Sequence, residues 1–123
     1  MRNLLTAEES AKLIELGVSP ERASARTFDL KDVNNLGKPL ERRELSPVFT
    51  LADILDILPK GICHEGLWIK LRITTWIDEP WFAGYQNQVG VYVTPNEAPF
   101  SAPELIDALY SLLVWCLEKE YVK

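Results

Sequence analysis

The chain has 123 residues, 47% of them hydrophobic and 25% charged, the make-up of one globular domain able to bury a core without metal or disulfide staples. Its 18 acidic and 13 basic side chains leave a net charge of −5, which disfavours a nucleic-acid partner because phosphate binders carry a basic field. No apolar run approaches the roughly 18 residues of a membrane span, so no membrane contact is expected.

The opening Met1 to Leu5 is too short an apolar run for a signal peptide, and Glu8 and Glu9 follow at once. Cys63 and Cys116 each stand in an apolar setting and read as reduced core thiols. The expected compartment is the cytoplasm.

In chain order, Thr6-Ala7-Glu8-Glu9 has the spacing of a capping box and predicts a helix that stops at Leu16-Gly17. Ser19-Pro20-Glu21 predicts a second, short helix reaching Ala25 or Arg26, with Ser19 as cap and Pro20 in its first turn. Residues 27–47 are polar and loop-like, with room for a short strand near Leu40 to Leu45. Thr50 and Asp53 form another capping box, for a helix that buries Leu51, Ile54, Leu55 and Leu58 and ends at Pro59-Lys60-Gly61.

The hydrophobic period then changes from helical to alternating. Leu67, Ile69, Leu71 and Ile73 share one face of a strand, and Trp68, Lys70, Arg72, Thr74 and Trp76 share the other. Ile62-Cys63-His64 is its expected hairpin partner, Trp81 to Tyr85 a further strand, and Val89, Val91 and Val93 mark a fourth. Ser101 and Glu104 have capping-box spacing, with Phe100 and Leu105 as its staple. Leu105, Ile106, Leu109, Leu112, Leu113, Cys116 and Leu117 then spread over more than half a helix circumference, so that helix is expected to pack on more than one side, with Trp115 at the margin. These elements define a single α+β domain over residues 1–123. It comprises an antiparallel meander of three or four strands, an N-terminal helical hairpin, a middle helix and a long C-terminal helix packed on one face.

Little in the chain has the pattern of catalysis. His64 is the only histidine, and a dyad with Cys63 is awkward because neighbours on a strand point to opposite faces. Two isolated cysteines and one histidine do not make a zinc set, and Asp53 with Asp56 on one helix side are read as a cap and a solvated acid. No phosphate-binding glycine loop is present, and no cofactor is expected. The helix–Gly–helix over residues 7–26 has the turn chemistry of a helix-turn-helix, which would make Arg22 and Arg26 its DNA contacts. Against it, residues 1–30 hold five acids, Glu8, Glu9, Glu15, Glu21 and Asp29, against four bases. The strongest binding feature is the aromatic and basic strand face of Trp68, Lys70, Arg72 and Trp76, joined by Tyr92, which suits a protein partner or self-association. Its alternative is burial under the 27–47 loop or an N-terminal helix, as a second small core.

Three stretches resemble small proteins found in phages and mobile elements of gut bacteria. They are Leu13 to Glu21 (LIELGVSPE), Pro47 to Pro59 (PVFTLADILDILP) and Asp107 to Lys123 (DALYSLLVWCLEKEYVK). The resemblance implies an accessory protein, and because that group has no established activity it assigns no catalytic residue. The expected function is therefore a non-enzymatic accessory or interaction protein, with a DNA-binding regulator as the alternative.

Overall fold

Two reciprocal capping boxes set the first two helices. A computed structural model of the chain describes residues 3–28, 45–75 and 80–122. Helix α1 spans Ala7–Glu15: the Glu9 N–H donates to Thr6 Oγ1 at 3.1 Å and the Thr6 N–H to Glu9 Oε1 at 2.9 Å. It closes with Gly17 N–H on Ile14 and Val18 N–H on Leu13, the paired bonds of a Schellman stop, with Leu13 and Val18 both buried. Helix α2, Leu51–Ile57, begins the same way, with Asp53 N–H on Thr50 Oγ1 at 3.1 Å and Thr50 N–H on Asp53 Oδ2 at 2.9 Å.

The second helix expected from Ser19-Pro20 is one 3-10 turn, Pro20–Arg22. Ser19 does cap it, accepting from the Glu21 N–H at 3.3 Å. It cannot propagate because the Ser24 N–H is taken by Asp53 Oδ2 at 2.8 Å instead of a helical carbonyl. The chain then enters strand β1, Ala25–Phe28, which pairs antiparallel with β2, Leu45–Val48. The strand expected near Leu40 to Leu45 falls, apart from Leu45 at the head of β2, on residues 29–44, which lie outside the described residues. At the N-terminus Leu4 bridges Thr50, and the Leu5 N–H donates to Phe49 at 3.0 Å, tying the start of the chain to the head of α2.

The main sheet is the antiparallel meander β3-β4-β5-β6: Gly61–His64, Leu67–Thr75, Trp81–Gln86 and Phe100–Ala102. Glu65 and Gly66, at φ 52° and 79°, make the two-residue loop between β3 and β4, the positive-φ pair that matches strand twist. The fourth strand differs from expectation. Around Val89 to Val93 only Tyr92 bridges the sheet, opposite Gln86, because Gly90 and Asn87 form a tight turn there. The ladder position beside the first half of β5 goes to Phe100–Ala102, with Ser101 opposite Phe82. That pairing removes the expected capping box: helix α3, Leu105–Glu118, has Glu104 as N-cap and no side-chain cap bond.

Helix α3 is the spine. Ile106, Ala108, Leu109, Leu112, Leu113 and Cys116 are fully buried, and the helix packs against β5 and β6 on one side and α2 on another. At about 1.5–3 kcal/mol for each large apolar side chain, this burial is the chief source of stability. Leu109→Ala or Leu112→Ala is expected to cost about 2–5 kcal/mol in urea unfolding, and a loss below about 1 kcal/mol would contradict this role.

Candidate interaction surface

Alternation along β4 divides the sheet into two faces. Ile69 is buried and Leu71 and Ile73 pack against the core, while Trp68, Lys70 and Arg72 are exposed. Cross-strand pairing carries the division through the sheet. Trp68 stands opposite Cys63, Lys70 opposite Gly61 and Gln86, Arg72 opposite Gly84, and Thr74 opposite Phe82. The outer face is thus built from Gly61, Cys63, Trp68, Lys70, Arg72, Thr74, Phe82, Gly84, Gln86 and Ser101.

Two glycines on this face are overlaid by aromatic rings. A Cβ on Gly61 would lie 2.4 Å from the Trp68 indole, and one on Gly84 would lie 2.8 Å from the Tyr92 ring. Aromatic cover of a neighbouring glycine is a known device for stabilising strands that lack a side chain to pack. Trp68 still leaves 64% of its surface in solvent, so its ring has one side on the sheet and one free. Beside the indole, Trp68, Lys70, Arg72, Gln86 and Gln88 line a shallow depression of about 500 Å³. Among the described residues neither Lys70 nor Arg72 makes an ion pair. Tyr92 is half-buried over Gly84, and Trp76 lies outside the described residues.

The two expected DNA-contact residues do not share a helix. Arg22 ends the 3-10 turn and points to α2, where it pairs with Asp56 at 3.4 Å. Arg26 lies on β1, in ladder register with Pro47. A single 3-10 turn followed by a strand is not a recognition helix, which corrects the helix-turn-helix expectation. Asp53 is likewise a structural residue. It accepts from the Ser24 N–H, the Ser24 hydroxyl and the Thr50 N–H, so one buried carboxylate joins α2 to the segment before β1. Among the described residues no group of three or more His, Cys, Asp or Glu could hold a metal.

Cys63 and His64 face opposite sides, Cys63 exposed on the outer face and His64 half-buried beneath the sheet. The His64 Nδ1 lies 2.9 Å from the Tyr121 hydroxyl, just past α3. Cys116 goes elsewhere, its Sγ 3.7 Å from the Tyr85 hydroxyl, which in turn donates to the Pro59 carbonyl at 2.7 Å. Burial pushes the Cys116 thiol up to about 11 despite the Tyr85 bond, so it is inert near neutral pH. Trp115 is half-buried among Tyr85, Phe100 and Tyr121, with ring centroids 6.3, 6.5 and 5.2 Å away. His64 and Glu65 also line a second depression, with Leu67, Val91 and Glu97.

Sequence reading missed the Asp53–Ser24 link and the ring-over-glycine pairs, since both depend on register between distant segments. The available signal was the pair of glycines, Gly61 and Gly84, standing in strands where a side chain would otherwise pack. The chain matches no family model, no curated protein and no solved structure.

Two expected outcomes follow from this geometry. Burial alone would raise the Asp53 pKa, but hydrogen bonds from the Ser24 side chain, the Thr50 and Ser24 backbones and the Thr50 side chain together hold it below its ordinary 3.8. A depressed carboxylate contributes stability that is present above the unfolded value and lost as pH falls through the folded one. Asp53→Asn should therefore lower stability at neutral pH by about 1–3 kcal/mol, with the gap to wild type closing below about pH 4 in chemical-denaturation series. Gly61→Ala should lift the Trp68 indole, raising its acrylamide quenching in a variant whose other tryptophans are phenylalanine; unchanged quenching would contradict the contact.

Proposed function

We propose that the chain is a non-enzymatic accessory protein, of the phage or mobile-element kind, that works by binding another protein on the outer face of its sheet. The observation that supports this reading is the exposure of Trp68 beside Lys70 and Arg72 on the sheet face turned away from α3. Tryptophan and arginine are the side chains most often found at the energetic centre of protein interfaces, and an indole with most of its surface in water leaves apolar area that a partner could bury. The rest of the sheet supports the same reading, since rigid strands hold the three side chains at fixed spacing and spare the entropy of ordering a loop. The titratable candidates for chemistry are instead engaged in holding the fold: Asp53 at the α2 cap, Cys116 on Tyr85, and His64 on Tyr121.

The test is retention of partners from a lysate of the native host by tagged wild type and by a Trp68→Ala, Arg72→Ala double variant shown to remain folded. Wild type should retain a discrete protein that the variant loses. Identical retained proteins from both would refute the reading.

A further inference from the structure

The reading of the outer face as a protein-binding surface can be taken to the chemistry of the partner. Among the described residues, the strand positions that make up this face include two cations, Lys70 and Arg72, and no acid. The chain as a whole carries 18 acidic side chains against 13 basic ones, so this face opposes the sign of the molecule that bears it. Its charges are also regularly spaced. Trp68, Lys70 and Arg72 stand at alternate positions of one strand, about 7 Å apart along it.

Resting on that reading, we infer that the partner is held through an acidic extended segment, whose carboxylates meet Lys70 and Arg72 and whose apolar side chain lies on the free side of the Trp68 indole. An extended chain presents every second side chain to one side at the same spacing, so the complementary pattern is acid-x-acid-x-apolar, or its reverse. Arg72 can grip a carboxylate with two parallel N–H donors, and Lys70 acts as a point charge. Gln88 at the rim supplies a neutral donor and acceptor for the segment's backbone, and Gln86, whose amide nitrogen donates to the Gly90 carbonyl at 2.8 Å, offers its side-chain carbonyl as an acceptor. A polyphosphate strand fits less well. It would meet two cations on this face within the field of a chain of net charge −5, whereas a peptide with few charges feels chiefly the patch inside one Debye length, about 8 Å. A second copy of the chain would bring the same net charge of −5 against its own.

The experiment uses the full chain and three probes: a peptide of about 12 residues with the pattern Glu-x-Glu-x-Leu, its Gln-for-Glu analogue, and a thymidine oligonucleotide of similar length. Binding is followed by calorimetry and by amide shifts of residues on β4. The Glu peptide should bind at least about tenfold more tightly than its analogue, with the difference shrinking between about 50 and 300 mM salt. A Lys70→Glu, Arg72→Glu variant should lose that preference. Equal affinity of the two peptides, no binding by either, or tighter binding of the oligonucleotide on this face would overturn the inference, as would a concentration-dependent dimer formed through it. Those outcomes leave the wider reading intact as long as Trp68→Ala, Arg72→Ala still abolishes capture of the native partner. Loss of that dependence removes both.

Discussion

Helix α3 against the inner face of the sheet is the constraint on which the rest of the molecule depends. Six of its residues, from Ile106 to Cys116, have no solvent exposure, and they meet Ile69, Ala83 and Tyr85 in the same core. Because strand side chains alternate strictly, committing Ile69, Leu71 and Ile73 to that core sends Trp68, Lys70 and Arg72 to the opposite side. The outward aromatic and basic face is a consequence of core packing, and a slip of one residue in β4 would destroy both faces at once. The face is then kept in order locally: the Trp68 and Tyr92 rings occupy the space above Gly61 and Gly84.

Several buried polar groups among the described residues tie distant segments together. Asp53 gathers the Ser24 and Thr50 donors at the head of α2, Ser10 accepts from the Phe49 N–H at 3.1 Å, and Tyr85 reaches the Pro59 carbonyl at the end of α2. Together these bonds fix where α1, α2 and the β1–β2 ribbon sit relative to one another. Leaving any of them unsatisfied would cost about 1–3 kcal/mol, so they restrict the arrangement more than they add to its stability.

Much of this was legible in the sequence, and the failures have a common cause. Both reciprocal capping boxes, the Gly17 stop, the β3–β4 hairpin at Glu65-Gly66 and the alternation of β4 from Trp68 to Ile73 are local patterns that the structure contains, although Leu67, expected on the buried face, is exposed. Each error came where a competing contact, from a distant segment or in a tight turn, overrode a local pattern. Ser19-Pro20 begins a helix, but Asp53, 29 residues from Ser24, takes the N–H that would extend it. Ser101 and Glu104 have cap spacing, but Phe82 claims Ser101 for the ladder. Val89 to Val93 alternates like a strand, yet Val89 is 84% exposed because the Asn87–Gly90 turn diverts it from the sheet. Of the candidate surface, Trp68, Lys70 and Arg72 were readable from period alone, whereas the glycines beneath the rings required register. The α+β class survives these errors because α3 and β4 alone determine which layer covers which.

The functional reading depends on the outer sheet face, as against any other surface, being where a partner sits. The competing surface is the apolar groove along α3 lined by Phe100, Tyr110, Ser111, Val114 and Trp115. The most direct measurement places a photo-activatable benzoylphenylalanine at Gln88, beside the Lys70–Arg72 depression, and separately at Ser111 in that groove, in cells of the native host. A discrete covalent adduct from position 88 and none from position 111 is the predicted result. An adduct from position 111 alone, or none from either, would contradict it.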